Sequence, residues 1–257
     1  MPAKRSTNAE DYQRIARPVA AMPKDFVSGH HIARHSHERG QLLYATRGVM
    51  RISTVQGTWV VPPQRALWIP PGIEHEIRMS GAVAMRTLYI APETAGNLPA
   101  DCQVIEVSDL LRALILAAME EPMEYDSGSR GEAIAQLLLH ELRGVAVVPL
   151  HLPLPQDTRL QAICRLVIER LGTDTDIETL ARDAGMSSRS LARLFQRETG
   201  MGFLAWRQQA RLAEALAQLS TGKPVALVAQ DLGYASPAAF TAMFRRSLGT
   251  TPGKYFS

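Results

Sequence analysis

Two stretches decide the fold of the C-terminal part of this chain: LARDAGMSSRSLARLFQRETG, residues 180–200, and VAQDLGYASPAAFTAMFRRSLG, residues 228–249. The Phe-x-Arg-x-x-Gly sequence that begins at Phe195 recurs at Phe244, 49 residues later. The preceding halves of the two stretches also match, with a one-residue slip confined to a turn. Repetition of this kind predicts two copies of one supersecondary unit.

The first copy contains the signals of a helix-turn-helix unit. Thr175 and Glu178 form a predicted capping box that starts a helix running to about residue 184. Gly185 supplies the left-handed residue that ends this helix, and Ser187 caps a second helix that runs to about residue 198. In such a unit the second helix enters the major groove of DNA, where all four base pairs are distinguishable.

The second copy repeats these signals. Pro224 fits the first turn of a helix that ends at Gly233, and Ser236 caps the next helix with Pro237 at its first position. Residues 203–219 form a long helical pattern between the copies. We therefore expect two units at a fixed spacing that enter successive major grooves, ~10 base pairs apart on one face of DNA.

The last hundred residues resemble the DNA-binding domain of AraC-type transcription regulators. The resemblance rests on Ala181-x3-Gly185-Met-Ser187, Leu191-x2-Leu194-Phe195, Leu227-x-Ala229-x3-Gly233-Tyr234, Ser236-x3-Phe240-x3-Phe244-Arg245-Arg246 and Gly249-x2-Pro252-x2-Tyr255. It covers residues 159–257, with units at about 176–198 and 224–247. It implies double-stranded DNA and RNA polymerase as partners.

This resemblance also implies which side chains contact DNA. The expected base-contacting positions lie early in each reading helix: Ser188, Arg189, Ala192, Arg193 and Gln196, then Pro237, Ala238, Thr241 and Ala242. The expected phosphate contacts are Arg245, Arg246 and Lys254. Arginine can pair with guanine through two hydrogen bonds, whereas Ala and Thr methyl groups can only pack on thymine methyls. We therefore expect the first unit to carry most of the sequence discrimination.

Composition and charge agree with a DNA-binding protein in the cytoplasm. The last 100 residues carry 13 Lys and Arg against 8 Asp and Glu, whereas the first 157 carry 15 against 17. A positive excess in the C-terminal part suits contacts to phosphates. Neither a membrane-length apolar run nor a signal-peptide core is found, and Cys102 and Cys164 are isolated, as in a reduced cytosolic protein.

The residue pattern of the N-terminal part differs from that of the C-terminal part. Residues 1–25 are read as a polar segment, and residues 26–107 as short strands broken by Gly and Pro, which is typical of a small antiparallel barrel. Within it, Gly29-x5-His35-x-His37-x3-Gln41-x6-Gly48, followed by Pro70-x-Gly72-x2-His75, resembles the two cupin motifs. Three positions depart from the cupin pattern: Gln41 replaces a glutamate, Gln64 a glycine and Met79 an asparagine.

The cupin resemblance implies a metal site at His35, His37, Gln41 and His75. We expect His35 and His37 to alternate on one strand and face inward, with His75 on a neighbouring strand. Three neutral imidazoles and an amide oxygen can hold Zn, Ni, Fe or Mn. The alternative is a barrel whose histidines only form hydrogen bonds or contact an organic effector. The adjacent pair at residues 30 and 31 is read as exposed strand residues.

Residues 108–145 contain two amphipathic patterns, at 109–121 and 131–143, that predict a helical pair. Their apolar positions exceed one core-facing stripe, so one face can cover the barrel and another can meet a second subunit. The resemblance favours this homodimer. Residues 146–158, with prolines at 149, 153 and 155, predict an extended, semi-rigid linker.

The sequence thus predicts an α+β protein of two domains: a cupin-like β-barrel with two flanking helices, then an all-α domain with two helix-turn-helix units. The leading hypothesis is a non-enzymatic transcription regulator whose barrel senses a small molecule or a metal. The alternatives are a metal-dependent cupin enzyme of the oxygenase type with a DNA-binding tail, and an architectural DNA protein without a ligand.

Overall fold

The computed structural model describes residues 5–256 and confirms the predicted α+β fold class. Residues 1–4, which start the predicted polar segment, and Ser257, which ends the predicted DNA-binding domain, lie outside the described residues. The chain divides between Pro149 and Leu150 into two compact units, with residues 55–58 belonging to the second. Within residues 5–256, no helix combines the length and apolar character needed to cross a membrane.

The first unit is built on two antiparallel sheets. Its strands are β1 (Val19–Phe26), β2 (His31–His35), β3 (Gly40–Ala45), β4 (Val49–Ser53), β5 (Gly57–Val61), β6 (Arg65–Ile69), β7 (His75–Ser80), β8 (Val83–Ile90) and β9 (Gln103–Glu106). One sheet has the order β1-β8-β3-β6-β9, and the other contains β2-β7-β4-β5. A short 3-10 helix, Ala9–Tyr12, precedes β1.

The barrel begins earlier than the sequence predicted. The polar segment was expected to extend to residue 25, but β1 starts at Val19, and residues 19–22 are buried. Pro23 lies within this strand. It is tolerated because β1 is an edge strand that pairs only with β8, so a missing N–H can face away from the ladder.

Two helices cover the first sheet. The helices of this unit are α1 (Pro92–Ala95), α2 (Asp109–Ala118) and α3 (Arg130–Leu142). Ser108 and Ser129 cap α2 and α3 through their hydroxyl groups, which accept N–H bonds from the first turns. The buried faces of both helices join one hydrophobic core with sheet residues such as Leu42 and Trp68.

The predicted linker is not a free spacer. Val147 pairs with Ile105 in the first unit, whereas β10 (His151–Pro153) belongs to the second unit, where Leu150 and Leu152 are buried. The prolines exclude helix, as expected, but apolar residues alternate between them and the carbonyl groups remain able to accept hydrogen bonds. The boundary between the two units falls within residues 146–158, and the part that forms β10 is extended and packed in the second unit.

The second unit is otherwise helical. Its helices are α4 (Thr158–Glu169), α5 (Ile177–Asp183), α6 (Ser188–Thr199), α7 (Phe203–Ser220), α8 (Val225–Asp231), α9 (Pro237–Leu248) and α10 (Pro252–Tyr255). Phe195 of α6 packs edge-on against Phe203 and Trp206 of α7. Phe240 and Phe244 of α9 form a second aromatic cluster with Tyr255 of α10. Buried aromatic contacts thus join α6 to α7 and, separately, α9 to α10.

Candidate DNA interface and histidine pocket

Helices α5 and α6 form the first helix-turn-helix. Gly185 has φ +65° and ends α5, and the Ser187 hydroxyl accepts the N–H of Ser190 at the start of α6. The cap of α5 differs from the prediction: the side chain of Asp176, not Thr175, accepts the N–H of Glu178. Asp176 stands directly before the first helical residue, which is the position from which a short side chain reaches the free N–H groups.

Helices α8 and α9 repeat this arrangement. Gly233 has φ +72°, and the Ser236 hydroxyl accepts the N–H of Ala239 at the start of α9. Pro237 occupies the first helical position, where no hydrogen bond is lost. Pro224 lies just outside α8, as its N-terminal flanking residue, rather than in its first turn.

The face of α6 expected to read DNA is open to solvent. Arg189, Ala192, Arg193 and Gln196 are exposed, and Ser188 is half-buried. Within residues 5–256, no ion pair engages Arg189 or Arg193, so both guanidinium groups remain available to bases and phosphates. The Gln196 side chain donates to the carbonyl oxygen of Gly200, so part of its hydrogen-bonding capacity is used within the helix end.

The expected reading face of α9 is more apolar. Five of its predicted contacts are exposed and Thr241 is half-buried, and together they line one shallow depression: Pro237, Ala238, Thr241, Ala242, Arg245 and Arg246. Lys254 is exposed on the short helix α10. The two arginines flank an apolar surface, which suits contacts to thymine methyls and phosphates better than hydrogen bonding to bases.

A cluster of three histidines lies in the first unit. His35 ends β2 and pairs directly with His75, the first residue of β7. His37 lies in the loop between β2 and β3, not on the strand as predicted, because β2 ends after a register irregularity between Ile32 and His35. The loop still turns the His37 side chain inward, and only 6% of this residue is exposed.

The three imidazoles are close enough to share one ligand. One ring nitrogen from each of His35, His37 and His75 lies within 4.8 Å of the others. The distances between ring centroids are 4.4 Å for His35 and His75, 4.8 Å for His35 and His37, and 5.5 Å for His37 and His75. The structure therefore brings together the three histidines that the sequence singled out.

Backbone carbonyls fix two of these rings. The Nδ1 atoms of His35 and His75 lie 2.7 Å and 2.9 Å from the carbonyl oxygens of Ala33 and Ile73. A carbonyl oxygen can only accept, so each neutral ring carries its proton on Nδ1 and presents the Nε2 lone pair. Such carbonyl contacts are the usual outer support of metal-binding histidines.

Burial keeps His37 and His75 neutral. Desolvation, reinforced by the neighbouring rings of His35 and His75, lowers the pKa of His37 to about 3. Burial likewise lowers the pKa of His75 to about 4, against the hydrogen bond that His75 donates to the Ile73 carbonyl oxygen, which favours the protonated form. Within residues 5–256, neither nitrogen of His37 nor Nε2 of His75 has a hydrogen-bond partner, which is costly for buried polar atoms.

Gln41 completes one wall of the site. Its buried amide donates from Nε2 to the Tyr89 hydroxyl at 3.4 Å, and its Oε1 atom has no hydrogen-bond partner in the described part of the chain. Burial raises the pKa of Tyr89, so the hydroxyl group stays protonated at neutral pH. The available oxygen is therefore that of the amide.

This donor set fits a divalent ion. Neutral imidazole nitrogens and an amide oxygen suit Zn, Ni, Fe or Mn, and three converging lone pairs repel one another unless a cation or a hydrogen-bond donor lies between them. His35, His37 and His75 would hold such an ion, which would tie β2, β7 and the β2–β3 loop together. The unpartnered nitrogens are equally open to an organic molecule that carries N–H or O–H groups.

His35 and His37 line a cavity of about 640 Å³, a size suited to a small molecule. Its walls combine apolar residues, such as Met22, Ile32 and Met85, with polar and charged ones, such as Glu10 and Lys24. The adjacent histidines lie at its rim. His31 begins β2 and contacts Glu76, whereas His30 precedes the strand, contrary to the prediction, and packs against Phe26.

Residues 7–10 also line this cavity, a role that the sequence did not suggest. Tyr12 is fully buried, with its ring 5.7 Å from that of Tyr89. The buried Arg39 guanidinium donates to the carbonyl oxygens of Gln13, Ile15 and Arg17 and holds this segment on the barrel. The apolar residues at positions 12 and 15, within an otherwise polar stretch, are the sequence feature that could have predicted this packing.

One departure from the cupin pattern has a visible consequence. Gln64 stands where the cupin motif has glycine and adopts φ +65°, the left-handed conformation that glycine tolerates best. The backbone geometry of the turn is thus kept without its usual residue. Met79 is buried and extends the apolar part of β7.

Comparison with known proteins gives matches to both parts of the chain. Residues 27–204 match the family described as AraC-like ligand binding domain, and residues 180–257 match a helix-turn-helix domain. The chain is 35% identical to the HTH-type transcriptional regulator NimR of Escherichia coli, over 87% of this chain and 81% of NimR.

The chain is also similar to two further proteins, over smaller shares of its length or at lower identity. The arabinose operon regulatory protein of Escherichia coli is 27% identical, over 77% of this chain and 62% of that protein. Among solved structures, the DNA-binding domain of AdpA in complex with a target DNA is 35% identical, over 37% of this chain and 86% of that domain, with a TM-score of 0.35.

Proposed function

Because this chain belongs to the AraC-type family of transcription regulators, we propose that its histidine pocket binds a metal ion or a small molecule and that this binding alters the affinity of the second unit for DNA. The chain is a DNA-binding regulator with a ligand-binding domain. The observation that carries the proposal is the convergence of unpartnered, neutral imidazole nitrogens in the cavity of the ligand-binding domain.

A divalent metal is the first candidate occupant. The tautomers of His35 and His75 are preset by their backbone partners, and the low pKa values of His37 and His75 mean that no proton must leave these rings when the ion binds at neutral pH. Gln41 adds a neutral oxygen. An organic effector that donates hydrogen bonds to the same nitrogens is the second candidate.

Elemental analysis of protein purified without a histidine tag tests the metal. We expect near one ion per chain in the wild type and a nearly empty site in His37→Ala and His75→Ala. His30→Ala is the matched control, since His30 lies at the rim and should leave the metal content unchanged. All three variants should still bind DNA, because the second unit has its own core.

The same variants separate the possible occupants. Their DNA affinity is measured by fluorescence anisotropy before and after addition of Zn²⁺, Ni²⁺, Fe²⁺ or Mn²⁺. A protein that is purified without metal and takes up none of these ions contradicts the metal site. If such a protein still changes its DNA affinity with a small molecule, and His37→Ala abolishes the change, the pocket holds an organic effector.

An enzyme is the second candidate function, because three histidines on a barrel also suit oxygen chemistry. We propose a sensor rather than this oxygenase-type cupin enzyme. Within residues 5–256, no carboxylate lies in the histidine cluster that could complete a common ferrous site or act as a general base there. Oxygen consumption by the Fe²⁺-loaded protein in the presence of candidate substrates would favour the enzyme.

The remaining proposals concern location and partners. We place the regulator in the cytoplasm, where it acts with RNA polymerase at promoters. We also propose that it forms a homodimer through α2 and α3. Leu110 of α2 and Leu137 of α3 are 53% and 50% exposed, while the opposite faces of these helices are buried on the barrel. Exposed leucines on adjacent helices suit an isologous interface.

A further inference from the structure

Two arginines of helix α7 form hydrogen bonds with the loop that leads into the first helix-turn-helix. Arg207 is only 5% exposed although it carries a charge. Its guanidinium donates to the carbonyl oxygen of Thr173 at 2.6 Å and to Asp174 Oδ1 at 3.0 Å. One turn later, Arg211 donates from Nε to the carbonyl oxygen of Leu171 at 3.0 Å. The entry loop of α5 is thereby fixed to α7.

Side chains of α7 also contact the turn of the second helix-turn-helix. Gln208 donates from Nε2 to the Tyr234 hydroxyl at 2.9 Å. The Arg211 guanidinium lies over the Tyr234 ring, 5.6 Å from its centroid. Tyr234 follows Gly233 in the turn between α8 and α9. Arg211 therefore touches both the entry loop of α5 and the second helix-turn-helix unit.

The entry loop of α5 also meets the second helix-turn-helix unit directly, backbone against backbone. A Cβ atom on Gly172 would lie 2.2 Å from the carbonyl oxygen of Asp231, and one on Gly233 would lie 2.3 Å from the carbonyl oxygen of Gly172. No side chain fits at either position. Gly172, which lies in the entry loop of α5, does not have a positive φ, so glycine is needed there for space and not for backbone conformation.

We infer that these residues form a clamp that sets the distance and rotation between the two reading helices. The clamp consists of Gly172, Arg207, Gln208, Arg211, Gly233 and Tyr234. Spacing of the two DNA half-sites then becomes part of the specificity, because each added base pair moves one half-site by ~3.4 Å and rotates it around the axis. Helix α7 alone would link the two units through a single connection. The clamp adds contacts that resist bending of one unit relative to the other.

Gly172→Ala tests the clamp, because the new methyl group must push Asp231 away by about 1 Å to reach ordinary contact distance. The probe is a duplex selected by the wild-type protein from random sequences. Variants of this duplex have one base pair inserted between the half-sites, or the second half-site scrambled. Gly144→Ala is the matched control, since nothing lies within 4 Å of its Cβ position and its φ is not positive.

For the wild type and Gly144→Ala we expect the insertion to weaken binding about tenfold or more, as loss of one half-site's contacts would. Gly172→Ala should bind the selected duplex about tenfold more weakly than the wild type does. Its affinities for the duplexes with and without the inserted base pair should differ by less than about threefold. Its affinity for the duplex with one half-site should equal that of the wild type, which a merely unfolded variant would not show.

Tyr234→Phe is the milder second variant, since it removes only the hydroxyl that accepts from Gln208 and should reduce spacing discrimination in part. Full discrimination by folded Gly172→Ala and Tyr234→Phe overturns the clamp. The inference rests on DNA binding by both units, which the wild type tests separately. If scrambling the second half-site does not weaken wild-type binding, the second unit does not contact DNA and that premise fails instead.

Discussion

Acid should destabilise the metal-free first unit, because two of its histidines are held neutral by burial. The folded-state pKa is about 3 for His37 and about 4 for His75. In the unfolded chain both rings should titrate near ~6.5. Below pH 6.5 the unfolded state therefore binds more protons than the folded state. By linkage, the free energy of unfolding is highest above this pH and falls as the pH falls towards the folded-state values.

The size of the effect follows from the same pKa values. One pKa unit corresponds to ~1.4 kcal/mol. Between pH 7.5 and pH 5.0, protonation of each of the two histidines stabilises the unfolded chain by the equivalent of ~1.5 pKa units, or ~2 kcal/mol. The folded chain gains almost nothing, because its histidines stay neutral over this range. The pair should thus lower the free energy of unfolding by ~4 kcal/mol, a large share of the stability of a typical domain.

Urea unfolding of EDTA-treated protein at the two pH values measures this loss, with the fluorescence of Trp59 and Trp68 reporting on the barrel. The reference is the His37→Leu/His75→Leu variant, which retains every other titrating group. The wild type should lose ~4 kcal/mol more than this variant on acidification, and His37→Leu alone should remove about half of the difference. An equal pH response of the wild type and the double variant would refute the reasoning.

Four further outcomes test the DNA interface and the dimer. Arg193→Ala should cost ~1–3 kcal/mol on the selected duplex and relax preference at one base pair, and an unchanged ratio to scrambled DNA would rule out this reading helix. Arg246→Ala should weaken binding equally on both duplexes and lower the salt slope by ~1; a sequence-dependent loss would contradict a phosphate contact. Footprinting should show two adjacent turns protected on one DNA face per monomer, whereas a single protected turn would exclude the second unit from the groove. Leu137→Asp should yield a monomer in light scattering while the exposed-site control Gln136→Asp does not, and a persistent dimer would move the interface elsewhere.

The sequence alone determined the helix-turn-helix units, because their signals are local. Gly185 and Gly233 end helices by adopting a left-handed conformation, and Ser187 and Ser236 cap the helices that follow. Each of these signals depends on a few neighbouring residues, so their repetition is visible in the chain. The same local reasoning chose Thr175 instead of Asp176, since both can cap a helix and only the backbone path separates them.

Local signals misled where a distant partner decides the structure. Pro23 fits a strand only because β1 lies at the edge of its sheet. Residues 146–158 were read as a linker because of their prolines. However, Trp206 donates to the Pro153 carbonyl oxygen, and Glu198 accepts the N–H groups of Gln156 and Asp157. Hydrogen bonds over such sequence separations leave no periodic signature in the linker itself.

The sequence named His35, His37 and His75, but only the tertiary structure makes them one site. The β2–β7 register places His75 opposite His35, and the burial that lowers the pKa values of His37 and His75 arises from strands far apart in the chain. The contact of Gly172 with Gly233 likewise joins the entry loop of α5 to the turn of the second helix-turn-helix unit. Burial and close approach depend on the whole packed chain, whereas caps and turns depend on a few adjacent residues.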